Sequence, residues 1–173
     1  MKTLVTGTPG SGKTTLVKYA KQVGDVRFFD ADEIPKLCEW REFKTGEVLG
    51  LVDDYKVDGK DDWYKKYGWY WRTDRLTQFL GENPNAIVCG SSENVTDCYE
   101  FFDRIIVIRV TQDELLSNLA SPERDNPFGK TTKQRSGFMK WQEHLIRGAQ
   151  EYSPEYVDGN VTEDAFKKIT DGF

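Results

Sequence analysis

The stretch VTGTPGSGKTT, at residues 5–15, carries residue types that bind a chain of phosphates. It fits the spacing G-x-x-x-x-G-K-[ST] at every fixed position. Glycines let the backbone curl until its N–H groups converge on phosphate oxygens, and a following helix adds partial positive charge at its N-terminus. The lysine of this pattern neutralises the outer phosphates, and the next hydroxyl ligates Mg²⁺. We therefore predict that ATP and Mg²⁺ bind at Gly7, Thr8, Pro9, Gly10, Ser11, Gly12, Lys13, Thr14 and Thr15, with Lys13 catalytic and Thr14 a metal ligand.

The segments on either side of this loop have the pattern that such a loop requires. A short apolar strand, TLV at residues 3–5, precedes it. Downstream, Leu16, Val17 and Ala20 recur at helical spacing, and Gly24 stands where the C-cap of that helix is expected. Because strand, loop and helix follow in this order, the motif indicates a nucleotide site rather than a plain glycine-rich turn.

Two carboxylates follow the next apolar run, in FFDADEI at residues 28–34. Asp30 ends the predicted strand, and we predict it as a metal residue because the Mg²⁺ of a phosphate loop needs nearby oxygen ligands. Asp32 has two interpretations. It is either a base that meets the phosphate acceptor or the N-cap of a helix that starts at Glu33. We expect that helix to run through ADEIPKLCEW, with Pro35 tolerated in its first turn.

Strands and helices alternate along the whole chain. The predicted strands are TLV, VRFFDAD, NAIVCG, the run from Ile105 to Val110, and EYVDGN. Such alternation favours a parallel sheet that is covered on both faces. We predict an α/β protein with one domain over residues 1–173, the three-layer P-loop NTPase fold, a five-stranded parallel sheet and helices on both faces. Ligands bind beyond the carboxyl ends of such strands, where Asp30, Gly90 and Ser91 lie.

Composition limits the classes of protein that remain. A chain of 173 residues with 38% hydrophobic residues fits one globular domain. Neither a membrane span nor a signal peptide is expected. Three cysteines without CxxC spacing indicate reduced thiols in a cytoplasmic protein, and the single histidine disfavours a histidine metal site. A net charge of −5 argues against a nucleic-acid partner, and the oligomeric state stays open.

Three classes of phosphate-loop protein were compared by their further motifs. No glycine has an aspartate three residues before it, and Asn-Lys-x-Asp is absent, which disfavours a GTPase. The strand AIVCG does not end in an acidic residue, which disfavours a motor-type ATPase. A kinase for a small molecule or a nucleotide is the class that remains.

On these motifs the chain resembles the nucleoside monophosphate kinase-like group, and within it the shikimate and gluconate kinase branch. FFDADEI is similar to the Asp-x-Asp segment of shikimate kinases, which implies a Mg²⁺ role for Asp30 and an acceptor-binding, base role for Asp32. WRTDRLTQFL is similar to the family's Phe-Arg-x-x-Glu segment, which implies that Arg72 pairs with a substrate anion. VCGSS stands at the family's glycine run, which implies that Gly90 and Ser91 lie near the acceptor.

The resemblance also implies two flexible or inserted parts. Residues 32–75 correspond to an acceptor-binding insertion, and residues 121–137 correspond to a lid, in SPERDNPFGKTTKQR. In the lid, Arg124 is expected to touch the transferring phosphates and to be catalytic, in preference to Arg135. Asn160 follows the last strand, where this fold usually holds adenine.

Some interpretations stay open at the level of the sequence. The cluster WYKKYGWYW either stacks on a base or ring or packs a small subdomain. Arg72 and Arg75 either bind an anionic substrate or lie on a helix surface. We expect an ATP- and Mg²⁺-dependent phosphotransferase that acts on a small-molecule hydroxyl or phosphate. The alternatives are a nucleoside or nucleotide kinase and a non-catalytic nucleotide-binding module.

Overall fold

A computed structural model describes residues 1–51, 61–121, 129, 132–159 and 163–171. Its strands are β1 (Thr3–Thr6), β2 (Phe28–Asp30), β3 (Cys38–Glu42), β4 (Val48–Leu51), β5 (Tyr67–Trp71), β6 (Ile87–Cys89), β7 (Arg104–Arg109) and β8 (Glu155–Asp158). Its α-helices are α1 (Lys13–Gln22), α2 (Asp61–Lys66), α3 (Thr73–Glu82), α4 (Gln112–Ala120), α5 (Thr132–Ala149) and α6 (Glu163–Thr170).

Five strands form the main sheet, in the order β2-β6-β1-β7-β8, and every neighbouring pair is parallel. The five-stranded parallel sheet predicted from the alternating pattern is therefore confirmed. The phosphate-loop strand β1 lies in the middle, between β6 and β7. Its carboxyl end is consequently flanked by the carboxyl ends of two further strands, which is where a ligand of such a sheet binds.

Consecutive residues of the central strands point into two different cores. In β1, Leu4 belongs to one core and Val5 to the other, as the two-residue period of a strand requires. Helices α3 and α5 cover the first face with Leu76, Leu80, Leu145 and Ala149. Helices α1 and α6 cover the second face with Leu16, Val17, Ala165 and Ile169. Three layers result, with helices on both faces as predicted.

The segment after β2 differs from the sequence-based prediction. Residues Ala31–Glu33 form a single 3₁₀ turn, and Cys38–Glu42 is a strand, so the predicted helix through ADEIPKLCEW is wrong. Ile34 is extended, with φ −72° and ψ 117°, and it precedes Pro35. Because a residue before proline is sterically pushed out of the helical region, the turn cannot propagate. Lys36, with φ 62°, then redirects the chain into β3.

This strand belongs to a second, antiparallel sheet in the order β4-β3-β5. Cross-strand pairs join Cys38 to Trp71 and Trp40 to Trp69. The loop after β6 fastens this sheet to the main one: the Asn94 side chain accepts from Trp71 N–H at 2.9 Å and donates to Trp71 C=O at 3.0 Å. The second sheet is thereby held beside the carboxyl ends of β2 and β6.

Several local predictions on helix ends can be compared with the structure. Gly24 follows α1 with φ +78°, as expected for a glycine at a helix end. The spacing of Thr111 and Glu114 in TQDELL predicts a capping box, and the two residues form it at the start of α4. The sequence also predicts that Thr162 caps the last helix, with Val161 packed on Phe166, but Val161 and Thr162 lie outside the described residues.

Gly90 is a position where only glycine fits between the two sheets. A Cβ atom there would lie 2.4 Å from Ala31 Cβ and 2.7 Å from Trp71 Cζ2. We predict that Gly90→Ala lowers the free energy of unfolding by about 1–3 kcal/mol through overpacking.

Gly81→Ala is the matched control for this prediction. Gly81 lies in α3, and a Cβ atom there would meet no heavy atom within 4 Å. The change should be neutral or stabilise by about 0.5–1 kcal/mol, because alanine is the better helix former. Urea unfolding of both variants measures the two values, and equal effects would contradict the close approach at Gly90.

Candidate active site

The predicted phosphate loop has the backbone shape of an anion cradle. Gly10 and Gly12 adopt φ +86° and +99°, a region that L side chains rarely enter, and α1 begins directly after Gly12. A Cβ atom on Gly7 would lie 2.6 Å from Ser11 Oγ and 2.9 Å from the Ile108 carbonyl oxygen. The glycines at these three positions are therefore required by the loop geometry.

Polar side chains of the loop fit a phosphate ligand. The hydroxyl oxygens of Thr8 and Ser11 are buried without a hydrogen-bond partner in the described part of the chain. The Lys13 ammonium donates to the Gly7 carbonyl at 2.6 Å and to the Thr8 carbonyl at 3.0 Å. This side chain thus folds back over the loop, with its charge at the place where phosphate oxygens would bind.

Thr14 and Asp30 meet across the gap between α1 and β2. The Thr14 hydroxyl donates to Asp30 Oδ2 at 3.3 Å, and Asp30 is buried. This pair supplies two hard oxygen ligands of the kind that Mg²⁺ prefers. Across the described ranges, no group of three or more histidine, cysteine, aspartate or glutamate side chains could hold a metal ion.

Asp30 rather than Asp32 caps the turn that follows β2. Asp30 Oδ1 accepts a hydrogen bond from the Asp32 backbone N–H at 3.1 Å, and Asp30 is the N-cap of the 3₁₀ turn. The expectation that Asp32 caps a helix starting at Glu33 is wrong, because that helix does not form. The Asp32 carboxyl is left available for another role.

The surroundings of Asp32 change its acidity. Asp32 is an exposed residue, and its Oδ1 lies 4.0 Å from Sγ of the buried Cys38. Desolvation is the largest cause that raises the pKa of Asp32 from 3.8 to about 7. Repulsion from Asp30 raises this pKa further, attraction by Lys13 opposes the rise, and Glu33 adds a smaller repulsion.

Gly90 and Ser91 lie at the carboxyl end of β6, in the position that the sequence predicted. Gly90 N–H donates to the Val5 carbonyl at 3.0 Å, which joins this end to β1. Ser91 Oγ accepts a hydrogen bond from Trp141 Nε1 of α5 at 3.3 Å. The partly buried indole of Trp141 therefore lies against Ser91, which is predicted to bind the acceptor. The imidazole ring of His144 stacks on this indole, with ring centroids 5.0 Å apart.

The two predicted substrate arginines contact other groups of the protein. Arg72 Nη2 donates to Asp74 at 2.7 Å, and Arg72 Nε lies 4.0 Å from the buried Glu39 carboxylate. Arg75 Nε donates to the Pro35 carbonyl at 3.0 Å. Arg75 also lies over the Phe79 ring, with the guanidinium carbon 6.0 Å from its centroid. Their role in binding a substrate anion stays a prediction.

The aromatic cluster of the second sheet packs mainly against itself. Trp40 is almost fully buried and contacts the rings of Trp63, Tyr64 and Trp69 at centroid distances of 5.9, 6.4 and 5.3 Å. Trp71 is fully buried against the strand ends of the main sheet. Of the two interpretations from the sequence, the packing of a small subdomain fits these contacts better.

Two predicted site residues, Arg124 and Asn160, lie outside the described residues, so their roles stay predictions. Conversely, the sequence reasoning missed Trp141, for which the sequence gives no clear signal. It also missed Asn118, whose side chain donates to the Gly10 carbonyl at 2.8 Å. A signal for Asn118 existed, because a polar residue three positions after Leu115 falls on the apolar face of α4.

Comparisons with solved structures find the same fold in several kinases. Shikimate kinase from Acinetobacter baumannii, in complex with shikimate, superposes with a TM-score of 0.57 at 16% identity, covering 97% of this chain and 89% of that one. Shikimate kinase from Aquifex aeolicus gives 0.51 at 13%, with 98% and 93% covered. Deoxyadenosine kinase from M. mycoides, with bound dCTP, gives 0.50 at 14%, with 98% and 96% covered.

No protein-family model matches the chain, and no curated protein matches it in sequence. The structural likeness establishes the fold, which is the one shared by these shikimate kinases and the deoxyadenosine kinase. The resemblance inferred from the motifs is confirmed at the level of the fold.

In the part of the chain that the structure describes, no helix is both long and apolar enough to span a bilayer.

The raised pKa of Asp32 is a testable consequence of this geometry. We predict a carboxyl titration near pH 7 for Asp32 in the ligand-free protein, measured by ¹³C NMR. Asp30→Asn should lower that pKa, because it removes the main repulsive charge. Glu33→Gln is the control and should lower it less. An unshifted pKa in Asp30→Asn would contradict the proposed coupling between the two carboxyls.

The same pKa makes stability depend on pH in a defined direction. The unfolded chain ionises Asp32 above about pH 4, whereas the folded protein keeps it protonated until about pH 7. Stability that is present below pH 4 is therefore lost as the pH rises to about 7. Asp32→Asn should be increasingly more stable than the parent across this window, and the difference should be constant above it. A difference independent of pH in thermal unfolding would contradict the shift.

Proposed function

We propose that this protein is a kinase that transfers the γ-phosphoryl group of ATP to a hydroxyl of a small molecule, with Mg²⁺. The observation that carries the proposal is the position of Asp30. One of its carboxylate oxygens accepts from the hydroxyl of Thr14, the predicted Mg²⁺ ligand, and the other accepts from the backbone N–H of Asp32. Asp30 thereby links the helix that follows the phosphate loop to the turn that carries Asp32, whose carboxyl has a raised pKa. The kinase fold of the structural neighbours supports this proposal.

The residues of the loop divide the binding of the nucleotide among them. Backbone N–H groups at the start of α1 and the Lys13 ammonium would hold the phosphate oxygens. Thr14 and Asp30 would hold Mg²⁺, which neutralises charge on the phosphates when bound. Lys13 would exchange its carbonyl acceptors, Gly7 and Thr8, for phosphate oxygens. Positioning and charge neutralisation supply most of the catalysis of phosphoryl transfer.

Asp32 is the residue that we assign to the acceptor. As the acceptor oxygen bonds to the γ-phosphorus and the bridging P–O bond breaks, Asp32 would accept the hydroxyl proton. A carboxyl with a pKa of about 7 is partly ionised at neutral pH, and a general base works best when its pKa is close to the working pH. Ser91, whose hydroxyl is fixed by Trp141, would position the acceptor beside it.

The charges around Asp32 favour a hydroxyl over a phosphate as the acceptor group. Of the charges that shift the pKa of Asp32, Asp30 and Glu33 are negative and Lys13 is positive. A phosphate acceptor would meet the carboxyls of Asp30 and Asp32 and would need arginine donors to balance them. Arg72 and Arg75 contact other groups instead. They could still bind a carboxylate at the far end of the acceptor.

A nucleoside is the second candidate for the acceptor. The indole of Trp141 lies beside Ser91 and carries His144 on one face, so that a base could stack only on the opposite face. One structural neighbour is a deoxyadenosine kinase. A nucleoside also presents a hydroxyl, so the same roles of Lys13 and Asp32 would apply.

Incubation of the purified protein with ATP, Mg²⁺ and a library of hydroxyl compounds tests the proposal. The library should include shikimate, deoxyadenosine, other nucleosides and phosphorylated nucleotides, and product formation is followed by mass spectrometry. Transfer to a hydroxyl compound supports the proposal, and transfer to nucleosides alone supports the second candidate. Transfer to phosphorylated acceptors alone would contradict it. Nucleotide binding without transfer to any compound would favour a non-catalytic module.

Variants test separately the role of Lys13 in holding the phosphates and the role of Asp32 as the base. Lys13→Ala should lower kcat/KM for ATP by about 10²–10³, as expected for the loss of one charged donor at the transferring group. Lys18→Ala, an exposed lysine on the same helix, is the control and should have no effect. Asp32→Asn should lower kcat by about 10²–10⁴ while ADP affinity is retained. Full turnover in Asp32→Asn would remove the base from the mechanism.

A further inference from the structure

Helix α4 contacts the apex of the phosphate loop from outside the ligand side. The Asn118 side-chain N–H donates to the Gly10 carbonyl at 2.8 Å, across 108 positions of sequence. No motif of the loop includes α4, and the roles proposed above for the loop residues do not use it. The question is what this hydrogen bond does for a loop that has to bind phosphates.

The peptide group between Gly10 and Ser11 is held at both of its ends. Its carbonyl accepts from Asn118, and its N–H, which belongs to Ser11, donates to the Thr8 carbonyl at 3.1 Å. A peptide group next to glycine rotates easily, because glycine has no Cβ to restrict it. Rotation of this one would turn a carbonyl oxygen toward the phosphate side, where it would repel phosphate oxygens.

Apolar contacts from the same helix reinforce this position. A Cβ atom on Gly10 would lie 3.1 Å from Leu115 Cδ1 and 3.1 Å from Leu119 Cδ2, so the loop apex is closely packed on α4. Leu119 also lies 2.7 Å from the Cβ position of Gly129. Leu115 and Leu119 are themselves buried in a small core with Val110. Asn118 therefore extends from a rigid support rather than from a loop.

We propose that Asn118 is a positioning residue for the phosphate loop. It keeps the Gly10 carbonyl turned outward, so that the loop presents N–H groups and not a carbonyl oxygen to the phosphates. The inference rests on the proposed function, because it requires that the loop bind a phosphate chain. It adds to that function a residue from α4 that touches neither the nucleotide nor the acceptor.

Binding of inorganic pyrophosphate and of ADP to the full chain tests the role of Asn118 directly. Isothermal titration calorimetry at 10 °C should show affinities for both about tenfold weaker in Asn118→Ala, the size expected for the loss of one hydrogen bond that orients the site. Asn118→Leu should weaken them similarly, because it removes the donor without leaving a cavity, and leucine is the better helix former. Ser117→Ala, an exposed change on the same helix, should leave both affinities unchanged.

The outcomes separate this inference from the proposed function. If the parent protein binds neither pyrophosphate nor ADP, the nucleotide site itself is wrong. If the parent binds and both Asn118 variants bind within twofold of it, the positioning role is wrong. A lower melting temperature with unchanged affinities would likewise show a merely structural contact. Should Asn118→Ala fail to fold, Asn118→Leu provides the same comparison.

Discussion

The Asp30 carboxylate is the group on which the proposed site depends. It is buried at the end of β2, where Oδ2 accepts from the Thr14 hydroxyl and Oδ1 accepts from the Asp32 N–H. One side chain therefore fixes the distance between the start of α1 and the turn that carries Asp32. It also acts electrostatically, because its charge raises the pKa of Asp32. The position of the proposed base therefore depends on Asp30, and so does part of the rise in its pKa, of which desolvation is the larger cause.

The rest of the fold holds this carboxylate in register. Strand β2 is an edge strand that pairs only with β6 in the main sheet, and Asp30 lies opposite Cys89. Gly90, the next residue, allows Ala31 and Trp71 to approach within van der Waals distance. The second sheet is therefore packed against the turn that carries Asp32. Removal of the glycine would disturb both sheets at the point where they meet.

The main sheet and the loop could be predicted from the sequence, because their signals are local. Apolar strands, a helical repeat and a fixed glycine spacing each lie within about a dozen residues. The second sheet could not, since β3 pairs with β5, about thirty residues away, and its stability comes from aromatic contacts across that distance. The restriction that Pro35 places on Ile34 is readable from the sequence, although a proline in the first turn of a helix is also tolerated. A local pattern marks Asn118 as a polar residue on the apolar face of α4, but no local pattern indicates its contact with Gly10, 108 positions away.

The Mg²⁺ dependence of ADP binding tests the central role of Asp30 most directly. Calorimetry with and without Mg²⁺ should be compared for the parent, Asp30→Asn and Asp32→Asn. If Asp30 is a Mg²⁺ ligand that also holds the turn carrying Asp32, Asp30→Asn loses most of the gain in ADP affinity that Mg²⁺ gives. Asp32→Asn keeps this gain. A full Mg²⁺ effect in Asp30→Asn, or an equal loss in both variants, would contradict the account.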